Sequence, residues 1–195
     1  MRNEANSALW HSFKQGNWEA YTSLYNDYYS LLNNYGYKFT RNSNLIEDAI
    51  HDLFVRLWAS RENLGNPVSV KNYLYKSLRN TLLRKIKTEE KYTGMDAEEY
   101  PFGFEVSYSN PGGMAIEEKE LREKVKAIIN TLPPRQKEII YLRFYEGLSY
   151  DEIADIMSIS INSAYKLLYK ALENLQQTLG PSPLLGIFLG LSYFS

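Results

Sequence analysis

One segment of the chain concentrates cationic, amide and aromatic side chains. Ser69–Lys87, "SVKNYLYKSLRNTLLRKIK", carries six cationic residues and no acidic one. Proteins bind single-stranded nucleic acid with cations that hold the backbone, aromatic rings that stack on bases and amides that bind base edges. The composition of this segment therefore favours binding of single-stranded nucleic acid. The alternative is a basic face that is only solvated. On a helical projection, one face is apolar and the opposite face holds these groups. The apolar face is Leu74, Leu78, Leu82 and Ile86, and the opposite face is Asn72, Tyr73, Lys76, Arg79, Asn80, Arg84 and Lys87.

A second segment, 132–175, has the pattern of a helix-turn-helix. Ser149 and Glu152, in "SYDE", have capping-box spacing and predict the start of a short helix. The turn "SIS" follows that helix, and Ser160 can cap a longer one. Gly147 is placed to end the preceding helix. The second helix of such a motif enters the major groove of duplex DNA.

The longer helix has one apolar and one polar face. We expect the apolar face in the core: Ile161, Ala164, Leu168, Ala171, Leu172 and Leu175. The polar face offers hydrogen-bonding groups for bases and phosphates at Asn162, Ser163, Tyr165, Lys166, Tyr169 and Lys170. Two lysines neutralise few phosphates, so the module should bind duplex DNA weakly on its own. An ordinary solvated face is the alternative.

A third helix, "IEDAIHDLFVRLW", has an unusually wide apolar face. Phe54 and Trp58 widen the core stripe, while Val55 falls between Asp48 and Asp52 on the far side. An acidic and apolar face would repel DNA and suits a basic protein partner. The alternative, that the two aromatic residues are core and the acids only solubilise, is equally open.

Charge and composition divide the chain of 195 residues into blocks. The net charge is +5 over residues 1–87, −5 over 88–114 and −1 over 115–195. The acidic block lacks periodicity and indicates a flexible linker. Without cysteine and with only two histidines, His11 and His51, the sequence offers no catalytic constellation and predicts neither a metal site nor a cofactor.

The elements that position these groups are helical. We expect an all-α fold of two small domains joined by the linker: 1–87, linker 88–113, 114–178, and an apolar tail 179–195. The N-terminus does not resemble a secretory signal, and the tail is too short and too rich in Gly and Pro for a membrane span. Predicted helices cover about 3–15, 17–35, 43–61, 69–87, 114–131, 133–145, 149–157 and 160–178.

These motifs, in this order, resemble a bacterial extracytoplasmic-function (ECF) sigma factor with regions two and four only. "IEDAIHDLFVRLW" resembles the region-two helix that docks on core RNA polymerase, and "PVSVKNYLYKSLRNTLL" resembles the segment that melts and binds the −10 element. "LPPRQKEIIYLRFYEGLSYDEIADIMSIS" resembles the region-four helices that bind the −35 element. The resemblance covers about residues 8–178. It implies a cytoplasmic specificity subunit with three partners: core polymerase, promoter DNA and an anti-sigma factor, often membrane-bound in this family.

The resemblance also implies three sets of site residues. Polymerase binding is implied for Asp48, Ile50, His51, Asp52, Phe54, Val55 and Trp58. Binding of the −10 element is implied for Asn72, Tyr73, Lys76, Arg79, Asn80 and Arg84. Binding of the −35 element is implied for Arg143, Ser160, Asn162, Ser163, Tyr165, Lys166, Tyr169 and Lys170.

The sequence departs from the family pattern in two places. "INSAYKLLYKAL" replaces the common Gly-Thr-Val-Lys-Ser-Arg type of start, with Leu167 where Arg is common, and the tail after Gly180 has no counterpart. Two rival functions are a free-standing helix-turn-helix regulator and a polymerase-binding adaptor that does not bind promoters. The regulator leaves Phe54, Val55 and Trp58 unexplained, and the adaptor would tolerate loss of the cationic helix face. An enzyme is the third rival, and no motif proposes one.

Overall fold

The structure is a computed structural model that describes residues 2–93, 100–104 and 126–179, with side-chain environments for 7–88, 100–104 and 126–177. Within these ranges every regular element is a helix, which confirms the expected all-α fold. The chain forms two compact units, Met1–Tyr100 and Pro101–Ser195. Part of the predicted linker, the start of the predicted helix 114–131 and the tail from residue 180 lie outside the described residues.

The first unit is built from four helices and a short 3-10 turn. Their starts lie within about two residues of the predicted ones, but the fourth helix continues past the predicted end at Lys87. Their bounds are α1 Arg2–Lys14, α2 Trp18–Gly36, α3 Ser43–Ser60, the turn Arg61–Asn63 and α4 Val70–Thr93.

Polar caps define where three of these helices begin. The Asn17 side-chain oxygen accepts a hydrogen bond from the Ala20 amide at 2.8 Å, and Asn42 accepts one from the Leu45 amide at 3.2 Å. Ser69 does the same for Asn72 at 3.3 Å. Each cap satisfies an amide that has no partner within its own helix. The predicted starts at Asn17 and Ser69 are thereby confirmed.

The core of the first unit is the predicted one. The stripe Leu74, Leu78, Leu82 and Ile86 of α4 is buried, as are Ile46 and its apolar neighbours on α3. Helices α2 and α3 approach closely at Gly36, where a Cβ atom would lie only 2.6 Å from Cγ2 of Ile46. A glycine is therefore required at this crossing for steric reasons.

The second unit contains the helix-turn-helix. Residues 126–130 are helical (α5), and the predicted helix 133–145 is split into an α-helix and a π-helical turn. Gly147 has φ +68°, and the amide of Leu148 donates to the carbonyl of Leu142, so the helix ends at the predicted glycine. The remaining bounds are α6 Pro134–Ile140, the π turn Tyr141–Tyr145, α7 Tyr150–Met157 and α8 Ile161–Leu179.

Residues 100–104, within the predicted flexible linker, are packed rather than free. Phe102 and Phe104 are buried in the second unit, against Tyr141 and Tyr145 respectively. The Asn130 side chain accepts from the Phe104 amide at 3.0 Å and donates to its carbonyl at 3.1 Å. The expectation of a flexible linker is wrong for residues 100–104, because Phe102 and Phe104 pack into the core of the second unit.

Candidate functional site

The outer face of α3 presents fewer residues than the predicted polymerase-binding set. Asp48 and His51 are exposed, and Val55 is 47% exposed. Ile50 and Phe54 are buried, so their predicted place on a docking surface is wrong. Both belong to the core stripe, and Phe54 packs edge-on against Tyr25 of α2 with ring centroids 5.0 Å apart.

Trp58 lies within an aromatic cluster that the sequence reasoning missed. Its ring is 5.3 Å from that of Trp18, at 90°, and 5.1 Å from that of Tyr21. The Arg61 guanidinium lies 4.7 Å above the Trp58 ring. Trp18, the first residue of α2 after the Asn17 cap, is 60% exposed. The sequence signal was the Trp18–Tyr21 spacing of one turn on α2. We call Trp18, Val55 and Trp58 the α2–α3 apolar patch.

The acidic residues beside this patch are only partly available to a partner. Lys85 of α4 forms an ion pair with Asp52 at 2.9 Å. The hydrogen bond from Lys85, together with its charge and those of Arg56 and His51, lowers the pKa of Asp52. Arg56 also donates to the Thr81 hydroxyl at 2.9 Å. Two polar links therefore join α3 to α4.

The cationic face of α4 is narrower than predicted. Asn80 and Arg84 are exposed, and Tyr73 and Lys76 are half-buried. Tyr73 packs edge-on against Trp10 at 5.6 Å, which holds its ring at the surface of the unit.

Asn72 and Arg79, which the helical projection placed outward, are buried at 7% and 5% exposure. Arg79 donates to the Tyr100 hydroxyl at 3.0 Å, and its guanidinium lies 5.2 Å from the centre of the Tyr100 ring. The Tyr100 ring also lies 5.8 Å from that of Phe39. The projection failed at Arg79 because it takes no account of a distant segment that covers the helix.

A groove of about 370 Å³ lies beside the outer face of α3 and the cationic face of α4. It lies between the start of α3 and the second half of α4, and it places acidic and basic side chains side by side. The lining residues are Asn42, Asn44, Leu45, Asp48, Arg84, Lys85 and Thr88.

The helix-turn-helix has the geometry that the sequence predicts. The Ser149 amide and hydroxyl both donate to the Glu152 carboxylate at 2.9 Å, closing the capping box at the start of α7. The neighbouring Ser149 side chain and the backbone amides of Asp151 and Glu152 lower the pKa of Asp151. Ser158 ends α7 in the left-handed conformation, with φ 54°. The Ser160 hydroxyl accepts from the Ser163 amide at 3.1 Å and caps α8.

The polar face of α8 is exposed as predicted. This face comprises Ser160, Asn162, Ser163, Tyr165, Lys166, Tyr169 and Lys170. Of the predicted core residues, Ala164, Leu168, Ala171 and Leu175 are buried. Ile161, however, is 50% exposed, because the core stripe begins one turn later at Ala164. An exposed isoleucine at the helix start adds an apolar group that suits a thymine methyl.

Arg143 does not lie on the α8 face. Its guanidinium donates to the Leu148 carbonyl at 2.8 Å and lies 5.0 Å from the centre of the Tyr150 ring. The Tyr150 ring in turn stacks on that of Tyr165, with centroids 3.7 Å apart and planes inclined by 23°. Tyr150 was not among the predicted site residues, and its capping-box position gave no signal of this contact.

Two family models match the chain, and between them they include α3, α8 up to residue 175 and nearly all of α4. Sigma-70 region 2 matches residues 24–92, and Sigma-70, region 4 matches residues 122–175. The chain belongs to the sigma-70 family. Region 2 contains α3 and α4, and region 4 contains α7 and most of α8, so this sigma factor carries the two parts that the sequence resemblance predicted.

Curated relatives place the chain in the ECF group. It is 29% identical over 150 residues to RNA polymerase sigma factor SigV of Bacillus subtilis, covering 75% of this chain and 81% of the relative. It is 27% identical over 184 residues to the ECF RNA polymerase sigma-E factor of Haemophilus influenzae, covering 89% and 95%. The protein is an ECF sigma factor, which confers promoter-specific initiation on core RNA polymerase.

Solved structures agree on the fold. The chain has a TM-score of 0.59 to CnrH in complex with the cytosolic domain of CnrY, at 16% identity, covering 90% of this chain and 97% of that one. It has the same score to the sigma factor RpoE in complex with the anti-sigma factor NepR from Bartonella quintana, at 18% identity, covering 83% and 97%.

In the part of the chain that the structure describes, no group of three or more His, Cys, Asp or Glu side chains is placed to hold a metal ion. Nor is any helix in that part long and apolar enough to cross a membrane.

Proposed function

We propose that this sigma factor docks on core RNA polymerase through the α2–α3 apolar patch and the neighbouring Asp48 and His51. The observation that carries this assignment is the exposure of Trp18, whose ring meets that of Trp58, and of Val55, one helical turn before Trp58 on α3. Large apolar side chains that remain exposed together mark a protein contact more often than a solvated surface. The polar groups beside them supply the rim that such contacts have.

In this proposal α4 binds the unpaired −10 strand with its accessible residues. Lys76 and Arg84 neutralise phosphates, the Tyr73 ring stacks on a base and Asn80 hydrogen-bonds to a base edge. Arg79 joins them only when Tyr100 moves away, because the tyrosine covers its guanidinium.

The −35 element is assigned to the exposed face of α8. Asn162, Ser163 and Lys166 lie in its first two turns, where a recognition helix meets base edges and phosphates. Tyr169 and Lys170 follow one turn further on and suit phosphate contacts. Ile161 extends this face by an apolar contact.

Neither DNA-binding face needs to bind DNA tightly on its own. Each offers few cations, and affinity for DNA rises with the number of phosphates neutralised. When both units are held on the polymerase, binding of the second element becomes intramolecular and benefits from a high effective concentration. Promoter specificity then depends on the complete holoenzyme.

We further propose a cytoplasmic location and control by an anti-sigma factor. Both of these solved structures are complexes, and in one of them the sigma factor is bound to the anti-sigma factor NepR. An anti-sigma factor that covered the α2–α3 apolar patch would exclude the polymerase, since both would need the same exposed side chains.

The test is a reconstitution with core RNA polymerase from the source organism. Wild type, Val55→Arg and Leu31→Arg are compared by co-elution and by transcription from pooled genomic fragments. Leu31 is the matched control, since it is an exposed apolar residue of α2 (39%) outside the patch. We expect wild type and Leu31→Arg to co-elute and to initiate at fragments that share two spaced elements, and Val55→Arg to lose both properties.

Two outcomes would contradict the proposal. Retained polymerase binding by Val55→Arg would move the docking surface elsewhere on the chain. Retardation of duplex DNA without any binding to polymerase would favour a free-standing regulator.

A further inference from the structure

Three side chains from three successive elements form one stack at the exposed polar face of α8. Arg143 comes from the π-helical turn, Tyr150 is the first residue of α7 and Tyr165 lies in the second turn of α8. The guanidinium lies 5.0 Å from the centre of the Tyr150 ring. The two tyrosine rings are 3.7 Å apart and nearly parallel, at 23°. The stack therefore joins the π turn and the start of α7 directly to α8.

The base of this stack is held in place by hydrogen bonds. Arg143 is anchored to the Leu148 carbonyl at 2.8 Å. Tyr150 follows Ser149, whose amide and hydroxyl are both bound to Glu152. The backbone on which the Tyr150 ring depends is thus pinned from both sides, and so the ring presents a fixed flat surface to Tyr165.

A fixed surface beneath Tyr165 changes how that residue can meet DNA. One face of its ring is covered by Tyr150, while 51% of the side chain remains exposed. Ordering a free side chain on binding weakens affinity by about 2- to 10-fold, and a side chain ordered beforehand avoids this loss. Tyr169, one turn later and 73% exposed, offers the comparison within the same helix.

We infer that Arg143 and Tyr150 are positioning residues that set the orientation of Tyr165 and thereby contribute to base preference within the −35 element. The inference rests on the proposed binding of this element by α8. Arg143 then acts through the stack and not as a direct DNA contact. A guanidinium that stacks on an aromatic face keeps its charge and supports the ring from one side.

The test uses the full-length protein in the holoenzyme and a promoter library randomised in the −35 element. The readout is the base preference at each position, which a general loss of folding would not redistribute. The variants are Tyr165→Ala, Tyr150→Ala, Tyr150→Phe, the double Tyr150→Ala/Tyr165→Ala, and Tyr169→Ala as the matched control. Tyr150→Leu keeps apolar bulk without a planar ring, in case Tyr150→Ala unfolds α7.

We expect Tyr165→Ala to weaken preference about 2- to 10-fold at one or two adjoining positions. Tyr150→Ala and Tyr150→Leu should weaken it at the same positions, and the double variant should add no further loss. Tyr150→Phe should behave as wild type, because stacking needs the ring and not the hydroxyl. Tyr169→Ala should act at other positions or uniformly.

Separate outcomes distinguish failure of this inference from failure of the proposed function. If Tyr165→Ala changes base preference and both Tyr150→Ala and Tyr150→Leu do not, the positioning role is wrong. If Tyr165→Ala has no effect while Asn162→Ala or Lys166→Ala does, the inference fails and the −35 role of α8 stands. If none of these variants changes the preference, both fail.

Discussion

The ammonium of Lys85 lies 2.9 Å from a carboxylate oxygen of Asp52, and this ion pair joins the proposed −10 helix α4 to the proposed polymerase helix α3. Both side chains are partly exposed, at 31% for Lys85 and 46% for Asp52. Solvent screens such a pair, so its value to the fold is small. Together with the hydrogen bond from Arg56 to Thr81, it links α3 to α4.

Replacement of Asp52 should show this modest stabilisation and its dependence on pH. We expect Asp52→Asn to lower the free energy of unfolding by about 0.2–1 kcal/mol at pH 7. Because Lys85 lowers the pKa of Asp52 in the folded protein, the stabilisation is complete above the unfolded value of about 3.9 and is lost as the pH falls through the lowered folded value. Urea denaturation of wild type and variant at pH 7 and pH 3 measures both effects.

Lys85→Met provides the control for this pair. Its cost should match that of Asp52→Asn, and the double variant should cost little more than either one. A difference between wild type and Asp52→Asn that stays constant from pH 7 to pH 3 would contradict the assignment.

Phe54 and Val55 are neighbours in sequence with opposite roles in the structure. Phe54→Ala should destabilise the protein by about 3–5 kcal/mol, because it empties a site between α2 and α3. Val55→Ala should change stability by no more than about 0.5 kcal/mol, since its side chain is 47% exposed. Denaturation curves of the two variants decide this, and similar losses for both would place Val55 in the core.

Tyr100 should limit the access of Arg79 to nucleic acid. We expect Tyr100→Ala to raise holoenzyme affinity for a labelled single-stranded −10 oligonucleotide up to about fivefold, because one further exposed cation becomes available. Tyr100→Phe keeps the ring and loses only the hydroxyl acceptor, so its affinity for the oligonucleotide should lie between those of wild type and Tyr100→Ala. Fluorescence anisotropy supplies the affinities.

The gain in affinity expected for Tyr100→Ala should depend on Arg79. Adding Arg79→Ala to Tyr100→Ala should abolish it, whereas a gain that survives in the double variant would show that Tyr100 covers a different group.

Gly36 should not tolerate a larger residue. Gly36→Ala places a methyl group 2.6 Å from Cγ2 of Ile46, so we expect a loss of about 1–3 kcal/mol despite the better helix propensity of alanine. Ile46→Ala in the same chain should recover part of the loss, and Gly65→Ala, with open space around its Cβ, should be close to neutral. Thermal unfolding followed by circular dichroism compares the variants, and equal losses at both glycines would refute the steric explanation.

Local chemistry explains why much of this fold was predictable. The apolar stripe of α4, the Asn17 cap and the Ser149 capping box each depend on residues within one or two turns. The same holds for the polar face of α8, whose exposure follows from helical periodicity alone. The two sigma-70 regions could likewise be recognised from such motifs taken in order.

Two of the departures from prediction involve partners distant in sequence. Phe54 is buried because Tyr25 of another helix meets it, and Arg79 is buried because Tyr100 folds over it. Ile161 is exposed because the core of its unit begins only at Ala164. A helical projection assigns faces to one helix, and it contains no term for what lies across from that face.

By itself, then, the sequence determined the helical elements, their caps and the family, since each is encoded in short-range spacing. Only the tertiary structure decided which members of the predicted α3 and α4 faces remain exposed, and it alone stacked Arg143, Tyr150 and Tyr165 at the exposed face of α8. The physical reason is that burial and stacking are properties of surfaces that meet in space, and the residues forming them need no regular separation along the chain.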